Sequence, residues 1–235
     1  MRRIVLALSL PVVLAACGES NRDVITRFTP QIEAVRGELK AIAGTLPAPG
    51  VVVSGKVADA DPKPVYDVAA GAFNTAFVPV EALSDDEPVY DLILSSELLN
   101  ALGWTGAKNP MAESALDESA EGFDKQFQTA LATTYVVLYR AAAYDPPRAI
   151  DDKTFEGGTL KLEAVVFERA ASRQVAACSI EAASDTSVNY TYKEGEDPKA
   201  RLVAFAGSTL WSDALKTLAQ CLTATTGGTF VFERS

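Results

Sequence analysis

TLKLEAVVFERAASRQVAACSIEA, residues 159–182, decides the fold. Leu160, Leu162, Ala164 and Val166 alternate with Lys161 and Glu163, the period of a strand with one apolar face and one wet face. Val165 and Phe167 then fill the second face as well. Residues 170–173 make a hairpin loop, and 175–182 return as a strand of small residues. Two antiparallel strands with an apolar face need a helix or another sheet to cover them.

Working outward, residues 133–141 are β-branched and aromatic and predict a strand before the hairpin. Asp145-Pro146-Pro147 and Gly157-Gly158 turn the chain on either side of residues 148–156. Val188, Tyr190 and Tyr192 alternate beyond the hairpin and extend the sheet. A helix follows over 208–224, with Leu210, Trp211, Ala214, Leu215, Leu218 and Leu222 on one face and Ser208 as N-cap. Gly227-Gly228 ends it, and residues 229–233 form a last strand. Upstream, residues 88–94 read as a strand. Ser95 or Ser96 caps a helix carrying Leu98, Leu99 and Leu102, stopped by Gly103. Phe123, Phe127 and Leu131 place an amphipathic helix over 115–132. Together these give an α+β fold, a mostly antiparallel sheet with helices packed on one face. The element order over 115–235 resembles small domains of envelope lipoproteins that activate peptidoglycan synthases or assemble curli secretion pores. That is a likeness of fold and carries no function.

An N-terminal helix precedes this unit over 22–43. Ile25, Phe28, Ile32, Val35, Leu39 and Ile42 alternate at spacings of three and four, with Pro30 inside the pattern. The stripe reads as a core face first and as a partner surface second. Residues 47–64 hold four prolines and one strand-like patch, Val51-Val52-Val53, and read as a linker.

The first residues are Met1-Arg2-Arg3, an apolar run over 4–14, and Ala15-Ala16-Cys17-Gly18. This is a secretory signal, too short to span a bilayer. Its end, Leu14-Ala15-Ala16-Cys17, resembles the lipobox of bacterial lipoproteins. The resemblance implies cleavage between Ala16 and Cys17, acylation of Cys17, and attachment to a membrane through the acyl chains. Gly18, where an aspartate would resemble an inner-membrane retention signal, implies the outer membrane with the protein facing the periplasm. The chain divides accordingly into a cleaved signal (1–16), an acylated cysteine with helix and linker (17–64), and an α+β domain (65–235).

Cleavage removes two arginines and no acid, taking the formal charge from −10 to −12. Such a surface repels nucleic acid and suits a basic partner. Cys178 and Cys221 remain as an even pair in an oxidising compartment and predict a disulfide stapling helix to sheet, worth about 4 kcal/mol in the chain-entropy model.

The chain has no histidine, which excludes Ser-His-Asp and Cys-His catalysis and histidine-based metal sites. No nucleophile elbow, phosphate-binding loop or Ser-x-x-Lys motif is present. Asp59-Ala60-Asp61 with Asp67 makes a poor calcium loop, interrupted by Pro62 and Pro64 and lacking the EF-hand glycine and glutamate. No cofactor and no metal is expected. Trp104, in Gly103-Trp104-Thr105-Gly106, stands beside a helix end, either capping the core or serving as a partner contact; Tyr190 and Tyr192 on an edge strand share that ambiguity. The leading expectation is a non-enzymatic envelope lipoprotein that binds or assists another envelope component. The alternatives are a hydrolase of cell-wall glycans working through two carboxylates, and a small-ligand or lipid carrier with an apolar cavity between the hairpin and the C-terminal helix.

Overall fold

The computed structural model describes residues 19–83, 94, 96–106, 109, 111–151, 153–184 and 195–232. Helix α1 (Asn21–Ala43) opens on a capping box: the Ser20 hydroxyl accepts from the Asp23 N–H, and the Asp23 carboxylate accepts from the Ser20 N–H at 3.0 Å. Pro30 stays within the helix because it is exposed, as is Thr26, whose carbonyl it leaves unbonded. Phe28, Ile32, Val35, Leu39 and Ile42 of the expected stripe are buried. Ile25 is only partly so and Val24 takes the buried place beside it, so the stripe faces the protein's own core.

The short strands β1 (Gly55–Lys56), β2 (Val65–Asp67) and β3 (Ala72–Phe73) lead to β4 (Thr75–Pro79), which is buried throughout. Helices α2 (Glu97–Thr105), α3 (Glu113–Leu116) and α4 (Phe123–Leu131) follow, then β5 (Tyr135–Asp145), β6 (Arg148–Ala149), β7 (Phe155–Glu156), β8 (Thr159–Glu168), β9 (Arg173–Ala183), α5 (Pro198–Thr226) and β10 (Thr229–Val231). The main sheet has the order β1-β9-β8-β5-β4, antiparallel except for the parallel β4–β5 pair. A second sheet, β10-β2-β3, brings the C-terminal strand parallel to β2. The class is α+β, with the expected N-terminal helix.

Helices cover both faces of the main sheet rather than one. Leu160, Leu162, Ala164 and Val166 face Leu210, Ala214, Leu218 and Leu222 of α5. Val136, Leu138, Val165 and Phe167 point the other way, into a core shared with α1, α2 and α4. The filling of the second face at Val165 and Phe167 was the signal for this.

Several boundaries differ from the sequence reading, each for a local reason. Helix α5 begins at Pro198, not 208, because Asp197 caps it, accepting from the Lys199 N–H, and proline fits the first turn. Helix α2 runs through Gly103 to Thr105. The helix expected over 115–132 is two helices, broken where Gly122 adopts a left-handed φ of 77°. Val51-Val52-Val53 forms no strand: Val51 and Val53 are exposed, and Val52 alone is buried. The strand read over 88–94 falls largely outside the described residues, as do Val188, Tyr190 and Tyr192.

The proline-rich stretch read as a linker is fastened to the sheet. Glu163, expected to face water, is 1% exposed. Its Oε1 accepts from the Gly50 and Val52 N–H groups at 2.9 and 3.1 Å, and its Oε2 from the Arg140 guanidinium at 2.9 and 3.1 Å. Arg140 also donates to the Pro47 carbonyl. Strand β1 then pairs with β9, and at Gly228 the chain passes so close to the Pro64 carbonyl that a Cβ would not fit.

Candidate functional site

The expected disulfide is present. Cys178 on β9 and Cys221 on α5 are joined, with their Cα atoms 6.1 Å apart, and the pair staples helix to sheet. Trp104 lies in α2, half-buried, with its ring 4.6 Å from Phe123 and 5.6 Å from Phe127 of α4. Phe127 in turn stacks on Phe28 of α1 at 5.1 Å. Trp104 thus closes the corner where three helices meet. Ala16, Cys17, Tyr190 and Tyr192 lie outside the described residues.

The aspartates of the imagined calcium loop do not converge. Asp59 is exposed and pairs with Lys56, which holds its carboxyl below the usual range, while Asp67 accepts from the Ala70 N–H. Among the described residues, no group of three potential ligands is placed to hold a metal ion.

The space between the β8–β9 hairpin and α5, where a carrier cavity was expected, is filled with packed side chains and the disulfide. Cavities occur elsewhere. One, of about 560 Å³, lies between α5 and β10, with Leu94, Leu215, Phe230 and Phe232 as apolar walls and Ser212 and Lys216 among its polar ones. It carries no acid. A second, of about 440 Å³, lies between the β2–β3 turn, the start of α2 and the end of α4. Tyr66, Val68 and Phe73 form its apolar side, and Glu97 is the one acid among its described lining residues. A glycan hydrolase with two flanking carboxylates finds that pair in neither cavity among the described residues.

The second cavity is rigidly built. The Asn74 carboxamide ties the turn together, accepting from the Val65 N–H at 2.7 Å and donating to the Lys63 carbonyl at 2.9 Å. Tyr66 and Phe73 meet edge to face at 5.2 Å, and burial pushes the Tyr66 hydroxyl up to about 12. Ser96 fixes the start of α2, accepting from the Leu99 N–H and donating to the Phe77 carbonyl of β4, both at 3.2 Å. The next residue, Glu97, has a buried Oε2 with no hydrogen-bond partner, and desolvation raises its carboxyl above the ordinary value. An acid in the first turn of a helix reads in sequence as a partner of the helix dipole, so nothing local marks Glu97 as a cavity residue. The opposite wall comes from strands some 25–30 residues upstream that carry almost no periodic signal.

No family model, no curated protein and no solved structure matches the chain.

Proposed function

We propose that the protein is an exported lipoprotein, anchored through acyl chains on Cys17, that works as a non-enzymatic binding domain of the cell envelope, at the outer membrane and facing the periplasm. The observation that carries the reading is the Cys178–Cys221 disulfide set within the α5 face of the core. Bonds of this kind belong to oxidising compartments, and the lipobox-like ending at Cys17 supplies the route there. Helix α1 begins at Asn21, four residues after Cys17. At the reach of an extended chain that is a tether of about 14 Å, so the folded unit sits against the bilayer. Among the described residues no helix is long and apolar enough to cross a membrane. The absence of histidine from the sequence, and of an acid pair among the described residues lining the two cavities above, favours binding over catalysis.

Metabolic labelling with an alkynyl fatty acid, followed by membrane fractionation, tests the reading. The wild type should take the label and sediment with membranes. Cys17→Ala should lose both properties. Equal labelling of the two, or a wild-type protein that stays soluble and unlabelled, overturns it. Crosslinking of the anchored protein in intact cells should then recover an envelope partner of basic character.

A further inference from the structure

We infer that the cavity between the β2–β3 turn, α2 and α4 binds a neutral pyranose sugar. One C–H face of the ring lies on Phe73, and the hydroxyls reach Asn100, Thr129 and Thr133. This names a ligand class for the binding-domain reading above and rests on it.

The aromatic wall is the first observation. Phe73 lines the cavity and shows half its surface although it sits in a strand. The buried Tyr66 ring braces it edge to face at 5.2 Å. A ring held in this way offers an apolar plane that loses little freedom when a ligand covers it.

The second observation is the polar side. Ser96 and Asn100 stand one turn apart at α2, and Thr129 and Thr133 one turn apart at the end of α4. Asn74, Thr75 and Ser96 are engaged within the protein. The other three keep bonding capacity. The Asn100 carboxamide and the Thr129 hydroxyl make no hydrogen bond among the described residues. Thr133 gives its proton to the Thr129 carbonyl at 3.4 Å and keeps its lone pairs. An amide and two hydroxyls can both donate to a ligand and accept from it.

The two sides together select the ligand. At about 440 Å³ the space is in the range of sites for small ligands. Among the described lining residues there is no cation to receive an anion, and the one acid, Glu97, has its Oε2 sealed from solvent. A purely apolar ligand would strip water from Asn100, Thr129 and Thr133 and put nothing in its place. A pyranose carries an apolar C–H face and a belt of hydroxyls that donate and accept, so it satisfies both sides at once. With no carboxylate pair among the described lining residues, the sugar is held and not hydrolysed.

The test uses the anchored protein in phosphatidylcholine nanodiscs, read by saturation-transfer NMR with empty nanodiscs as the blank. The probes are the methyl pyranosides of glucose, galactose and N-acetylglucosamine. Cyclohexanol serves as a ring with a single hydroxyl, and methyl glucuronide as the anion. At least one of the three pyranosides should bind saturably with a Kd on the order of 1 mM, which a few neutral hydrogen bonds and one ring contact support. Transfer should be strongest to its ring C–H protons. Cyclohexanol and the glucuronide should each bind about tenfold more weakly. Phe73→Ser should abolish saturable binding, and Asn100→Ala and Thr129→Val, both at exposed positions, should each weaken it severalfold. Glu118→Gln, which removes an exposed charge elsewhere, should change nothing. Absence of saturable binding by all three pyranosides overturns the proposal. So does equal affinity for cyclohexanol or the glucuronide, binding unchanged in Phe73→Ser, or binding unchanged in both Asn100→Ala and Thr129→Val. Labelling reports on the anchor and NMR on the cavity, so either reading can fail while the other stands.

Discussion

The two faces of the main sheet are covered in different ways. One is covered chiefly by a single helix: α5 lays Leu210, Ala214, Leu218 and Leu222 along β8 and β9, a covalent bond fixes it, and Tyr66 of β2 and Phe230 of β10 fill the end against Phe77. The other is assembled from α1, α2, α4 and the stretch 47–52, which reach it from separate parts of the chain. Its centre is a stack of aromatic rings, and its margin is a buried ion pair whose carboxylate also binds backbone. A face covered mainly by one continuous element is held by periodicity and a staple. A face assembled from pieces needs a polar hub to fix where each piece stops.

The sharpest way to break this comparison is to remove the staple. Replacing Cys178 and Cys221 together by alanine frees a loop spanning 43 residues of separation and should cost about 4 kcal/mol in urea unfolding. A loss under about 1 kcal/mol would mean that the α5 face holds by packing alone. The hub comes next. Arg140→Met leaves Glu163 buried with two backbone donors and no counter-charge, which should cost about 3 kcal/mol. Pairing it with Glu163→Leu should recover part of that loss, as expected for side chains that act together. If the single variant cost as little as an exposed pair, the hub would be dispensable and the two faces alike. A smaller effect belongs to the start of α1: Ser20→Ala should lower stability by about 1 kcal/mol, read from the shift in the urea midpoint.

The same cap gives the finest test, with pH as the variable. The Ser20 backbone N–H and hydroxyl hold the Asp23 carboxyl below its usual range. A carboxyl whose folded value is depressed contributes stability above its unfolded value, about 3.9, and loses it as pH falls through the folded one. The melting temperatures of wild type and Asp23→Asn should therefore converge between pH 5 and about pH 2, scanned by circular dichroism. A constant gap would show that Asp23 does not act through its charge.

Legibility in sequence follows the same division. The α1 stripe, the hairpin and the cysteine staple were all readable, because each is a periodic pattern or a pair of like residues. The first ten residues of α5 were not. They bury only Leu202 and Ala206 and follow an acidic run, too sparse a pattern to separate from a loop. Glu163 was misread because alternation alone places it toward water, and its backbone partners lie 111 and 113 residues away in sequence. The candidate cavity was missed for a related reason. Its walls are the three-residue β2, the two-residue β3 and the first turn of α2, none of which signals its neighbours. What periodicity cannot carry is contact between short segments distant in sequence.

One carboxylate joining Gly50, Val52 and Arg140 also determines where this chain can be cut. A protein trimmed to begin at Val65 would keep every strand of the sheet but β1 and every helix but α1. It would also keep Glu163, with half of its bonding stripped away and the apolar side chains under α1 laid open to water. Such a fragment would not be a smaller edition of the molecule. A cut that keeps α1, its Ser20 cap and the Glu19 carbonyl that accepts from the Ala120 N–H leaves those contacts whole.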